Sequence, residues 1–73
     1  MVMHWHKSSI VIRTKWGTFL LEKGDNVATI YNQNGFIVTS CIDEASCIRA
    51  LNILLSDVQR GRIESIPAYI YMS

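Results

Sequence analysis

Two histidines and two cysteines, His4, His6, Cys41 and Cys47, are the residues of this chain whose types could hold a metal. Four such ligands would satisfy a tetrahedral zinc, and zinc would reinforce a small core. Their spacing opposes it. Structural zinc sites draw cysteines roughly two to four residues apart from one knuckle, whereas Cys41 falls at a strand end and Cys47 on the apolar stripe of a helix. Both read as small, buried, reduced thiols. Cys41 stands near a helix start, a setting that favours a thiolate, but a nucleophile also needs a base. The only histidines cluster around residue 5, in a segment with no turn chemistry to hold them. Asp43 and Glu44 are the nearest approach to paired carboxylates, and both are occupied at the start of the helix. All four glycines fall at turns or helix ends, which leaves no phosphate-cradling loop. The expectation is a non-enzymatic protein with no catalytic residue, no metal, no cofactor and no small-molecule substrate.

The elements that would position these side chains follow from periodicity. SSIVIRTK (8–15), TFLLEK (18–23), VATIYN (27–32) and FIVTSC (36–41) are rich in β-branched and aromatic residues. Trp16-Gly17, Gly24-Asp25 and Asn32-Gln33-Asn34-Gly35 supply the reversals between them, Asn-Gly being the strongest short hairpin signal. From 43 to 60 the period changes: Cys47, Ile48, Leu51, Leu54, Leu55 and Val58 recur every three or four residues and form one apolar stripe. Ser40 or Asp43 can cap the start of this helix, and Arg60-Gly61 suits its end. Residues 63–72 carry strand-like side chains, but Pro67 restricts them to an edge strand or an irregular tail. The predicted fold is α+β, an antiparallel β-meander of four strands, with a C-terminal edge strand as a fifth, packed on one face by a single amphipathic helix. Residues 1–73 form one domain: a loosely ordered segment over 1–7, the meander over 8–41, the helix over 43–60 and the last strand or tail over 63–72.

With two-residue loops in the first two turns, Ile12 lies opposite Leu21, Leu21 opposite Ala28 and Phe19 opposite Ile30. The opposite face then carries Val11, Arg13, Lys15, Leu20, Glu22, Thr29 and Tyr31, a mixed surface typical of antiparallel sheets covered on one side. The last hairpin can use two to four loop residues. Trp5, Trp16, Tyr31, Tyr69 and Tyr71 are more large aromatics than one sheet face and one helix can cover. Trp16 and Tyr31 beside Arg13 therefore read as a contact surface, since Tyr, Trp and Arg anchor interfaces. On the helix, Ile53 shares its outward face with Arg49, Ser56 and Arg60. The candidate partner-binding residues are Arg13, Lys15, Trp16, Leu20, Tyr31, Arg49 and Ile53.

Composition points the same way. Hydrophobic residues make up 49% of the 73 and charged residues 18%, below the usual share of about 25%. A core this small supplies roughly 3–5 kcal/mol at most. Excess apolar surface on such a chain is expected to be covered by a protein partner or by a second copy in a homodimer. The net charge of +1 is spread without long runs, so nucleic acid is the second-ranked partner. The first seven residues lack the apolar core of a signal peptide, and no stretch approaches the roughly 20 apolar residues that span a bilayer. The expected location is cytoplasmic, with no membrane partner.

The order of a strand meander followed by a capped helix opening Asp43, Glu44, Ala45 and reaching Ala50 resembles, in architecture, the three-stranded AP2 and integrase arm-binding domains over residues 8–60. That resemblance implies DNA binding by the open sheet face. Those domains carry densely basic strands, whereas Arg13 and Lys15 are the cations on this face. Small size, few cysteines and no active-site motif also describe accessory proteins of phages and mobile elements, inhibitors of host machinery such as anti-CRISPR proteins among them. The expected function is that of a small interaction protein that binds and modulates a larger partner, self-associates, or does both.

Overall fold

Four stretches of alternating β-branched and apolar residues, each ended by turn chemistry, become β1 (Ser8–Thr14), β2 (Gly17–Gly24), β3 (Val27–Asn32) and β4 (Ile37–Cys41). The 3.6-residue period that follows becomes α1 (Glu44–Gln59). This is the computed structural model of the chain, and it describes residues 8–68. The strands form one antiparallel sheet in the order β1-β2-β3-β4, a meander packed on one face by the helix, and the fold is α+β. Among the described residues there is no fifth strand: the chain beyond the helix is irregular up to Ala68. The N-terminal segment, with Trp5 and both histidines, lies outside the described residues, as do Tyr69 and Tyr71.

Both short hairpins differ in register from the sequence reading. Ile12 pairs with Phe19, Leu21 with Ile10 and Ile30, and Phe19 with Asn32. The loops do contain two residues each, but they are Lys15-Trp16 and Asp25-Asn26. Gly17 and Gly24, placed inside the turns from their residue type, instead close the strands. Asn26 takes the left-handed conformation at φ 59, which Asn tolerates better than other side chains do. Moving a turn by one residue moves the register by two. Because side chains alternate with period two, every residue keeps its face.

The third loop contains three residues, Gln33, Asn34 and Gly35. Asn32 closes it by donating its N–H to the Phe36 carbonyl at 2.8 Å and accepting from Gly35 N–H at 2.9 Å. Its Oδ1 accepts from the N–H groups of Asn34 and Phe36 at 2.9 and 3.0 Å. Gly35 at φ 85 supplies the left-handed residue such a loop needs. Beyond it, Tyr31 faces Ile37 but Ile30 faces Thr39, so Val38 is an extra residue, a β-bulge. Without it Ser40 would oppose Ala28 in the core. With it, Cys41 opposes Ala28 and Ser40 turns outward to meet Thr29.

The core comprises Phe19, Leu21, Ala28, Ile30 and Val38 from the sheet, and Cys47 and Leu51 from the helix. The helix packs over β3 and β4, with Ile48, Leu54, Leu55, Ile66 and Ala68 around the buried set. Of the two N-caps the sequence offers, Asp43 is used: its carboxylate accepts from Ser46 N–H at 2.8 Å. That bond holds the Asp43 carboxyl below its ordinary pKa. At the other end Gly61 N–H donates to the Val58 carbonyl and Arg62 N–H to that of Asp57, the paired bonds of a Schellman motif. Gly61 at φ 77 makes it feasible.

Candidate interaction surface on the open sheet face

The helix covers one face of the sheet, and no described element covers the other. Register places four apolar side chains in line across that open face: Val11 opposite Leu20, Leu20 opposite Tyr31, and Tyr31 opposite Ile37. Each belongs to a different strand, so the row runs across the whole sheet. Val11, on the edge strand, is 57% exposed, and the other three are half-buried by one another and their neighbours. A polar row flanks it on one side, Ser9, Glu22, Thr29 and Ser40, in which the Thr29 and Ser40 hydroxyls share a hydrogen bond at 3.2 Å. Arg13 and Thr18 flank it on the other, where Gln33 Oε1 lies 3.5 Å from Thr18 N.

Of the residues expected to contact a partner, Leu20 and Tyr31 are the centre of this row and Arg13 stands at its margin. Lys15 lies in the β1–β2 turn, not on a strand face, with its Nζ 5.0 Å from the centre of the Trp16 ring. Trp16 lies apart from Tyr31: it lines a cleft of about 280 Å³ with Phe19, Val38, Val58 and Ile66, on the side of the sheet that carries the helix. Arg49 and Ile53 occupy the outward face of the helix, on the far side of the molecule from the row, and Ile53 is 56% exposed. The seven residues thus divide between two surfaces and a turn.

Two members of the row were outside that set. Val11 sits in a run whose alternation already marked its face, and exposure on an edge strand is what singles it out. Ile37 reaches the row because the bulge at Val38 resets the alternation, and no residue type signals that bulge. Ile42, at 73% exposure, was also missed. It precedes the N-cap, a position whose apolar residue commonly packs on the fourth helical residue. Here that residue, Cys47, points into the core.

The chain matches no family model, no curated protein and no solved structure.

Among the described residues, Glu64 is the only titratable side chain lining the cleft beside Trp16. Among the described residues no three His, Cys, Asp or Glu side chains come together, and no helix is long and apolar enough to cross a membrane. Cys47 is fully buried, and its Sγ donates to the Ala28 carbonyl at 3.3 Å. Burial, and then the neighbouring Cys41, push its thiol up to about 11. A raised pKa means that the folded state favours the neutral thiol. The resulting stability is present below the unfolded value near 9 and is lost as pH rises through about 11. Denaturant titration should therefore show about 2–3 kcal/mol of stability lost across that window, and Cys47→Ala should remove this share of the pH dependence. An equal loss in both proteins would show that Cys47 is not the group responsible.

Proposed function

We propose that this chain is a non-enzymatic interaction protein that binds a larger partner protein with the open face of its sheet. The row Val11, Leu20, Tyr31 and Ile37 makes the contact, and Arg13 and Glu22 set its orientation from the margins. The observation that carries this reading is the continuity of the row. Single exposed apolar residues are ordinary on a protein surface, but aligned apolar side chains on all four strands of a sheet face that no described element covers form a surface that gains by leaving water. Tyr31 near its middle is the residue type that anchors interfaces, with a large ring and a hydroxyl able to reach a polar group at the rim. In its narrower form, the chain is an accessory protein of phage or mobile-element type that inhibits host machinery, a reading that rests on the small, cysteine-poor character of the fold.

DNA binding by the same face is the weaker reading. Phosphate contacts dominate affinity for DNA, and Arg13 shares this face with the acidic Glu22 while Lys15 is turned to Trp16. The test is a photo-crosslinking amino acid at position 31. Exposed to light in cells that hold the partner, it should join the chain to one protein of discrete size, and absence of any protein adduct would count against the proposal.

A further inference from the structure

The two edges of the sheet are built differently. β4 is five residues long and carries the bulge, features that discourage further pairing. β1 is seven residues long, SSIVIRT, with no proline, no bulge and no lysine within it. Its outer edge has no strand partner among the described residues. Two of its apolar side chains remain open to solvent, Ile10 at 39% on the helix side and Val11 at 57% on the open face. Such an edge is a template for another strand.

The register says which backbone groups it offers. Thr14 and Gly17 close a two-residue loop, so they form a hydrogen-bonded pair, and hydrogen-bonded pairs recur at Ile12 and Ile10. The N–H and C=O groups of Ser9, Val11 and Arg13 therefore point away from β2, toward the free edge. These three positions are symmetric about Val11.

We propose that β1 pairs antiparallel with β1 of a second copy about a two-fold axis at Val11, joining two meanders into one eight-stranded sheet. In this register the outward-pointing backbone groups meet one another: Val11 exchanges both hydrogen bonds with Val11 of the second copy, and Ser9 does so with Arg13. Side chains match on both faces. Ile10 meets Ile12 of the second copy on the helix side, where the helix, lying over β3 and β4, leaves β1 poorly covered. On the open face Val11 meets its own copy, so the two apolar rows join end to end through the axis. The charges match as well. Arg13 lies beside Ser9 of the second copy, and beyond that small side chain, on the next strand, stands its Glu22. Two strand spacings are roughly 10 Å, which an arginine and a glutamate reaching toward each other can span. The symmetry forms this ion pair twice, and within the paired strands, Ser8–Thr14 of each copy, no like charges face each other. The occupant that fits this edge is therefore a second copy. The pairing is independent of the partner reading, because it uses the strand edge and leaves the row on the face uncovered.

Light scattering of the full chain at micromolar concentration should give twice the 8.3 kDa of one chain. V11K sets two ammonium groups against each other at the axis and should raise the dissociation constant of the dimer about tenfold or more, with an unchanged far-ultraviolet circular dichroism spectrum. Should V11K fail to fold, V11C in a Cys41→Ser background provides the second test. Directly opposed residues of a hydrogen-bonded pair have Cα atoms about 5.5 Å apart, within disulfide reach. Mild oxidation should cross-link V11C and leave V27C, on an exposed residue away from the edge, as single chains. A monomer at all concentrations, which would follow if another segment of the same chain covers β1, overturns the proposal. So does a dimer that V11K leaves intact and V11C does not trap.

Discussion

Leu21→Ala is expected to unfold most of the protein at room temperature. Leu21 is fully buried at the centre of the sheet, paired with Ile10 on one side and Ile30 on the other, beneath the helix residues Cys47 and Leu51. Truncating such a leucine costs about 2–5 kcal/mol, since transfer from water is lost and the cavity closes only in part. A core of this size contributes roughly 3–5 kcal/mol of net stability, so one such cavity consumes most of it. The loss should be visible as a collapsed thermal transition and a greatly lowered urea midpoint. Leu20→Ala, one position along the same strand but on the open face, is the control and should unfold near the wild-type midpoint. Equal destabilisation by the two substitutions would mean that the open face is covered after all.

Tyr31→Ala is expected to weaken partner binding by about 30-fold or more while leaving the fold in place. A tyrosine at the middle of an interface typically contributes 2 kcal/mol or more when truncated, and each 1.4 kcal/mol is a factor of ten in affinity. The ring is half-buried by Leu20 and Ile37 in the free protein, and its removal costs the sheet some cross-strand packing. That cost should appear as a modest shift in the urea midpoint. Calorimetric titration of the isolated partner against wild-type and Tyr31→Ala chains separates the two effects. Binding unchanged by the substitution would move the contact off this face.

The comparison of these two neighbours, Leu21 inward and Leu20 outward, also shows what could be read from the residues alone. The face of each strand residue from Ile10 to Tyr31 follows from period-two alternation, and it survived a register error in both hairpins because each error was an even number of residues. The register itself was not legible. Glycine suits a turn, but Lys15-Trp16 and Asp25-Asn26 form the turns here, and the choice rests on cross-strand packing that only the whole sheet determines. The helix was legible almost to the residue, because a capping aspartate and a left-handed glycine mark its ends chemically. The apolar row was half-legible. Leu20 and Tyr31 stood out by type and alternation, whereas Ile37 joins them on a strand whose bulge turns both the buried Val38 and the partly buried Cys41 toward the helix side.

That row is also where the two candidate surfaces separate, since Tyr31 and Ile53 lie on opposite sides of the molecule. Placing the photo-crosslinking amino acid at position 31 in one chain and at position 53 in another, in cells holding the partner, measures which side is used. Contact through the open sheet face predicts a discrete protein adduct from position 31 and none from position 53. An adduct from position 53 alone, or an adduct from position 31 that contains only a second copy of this chain, would contradict it.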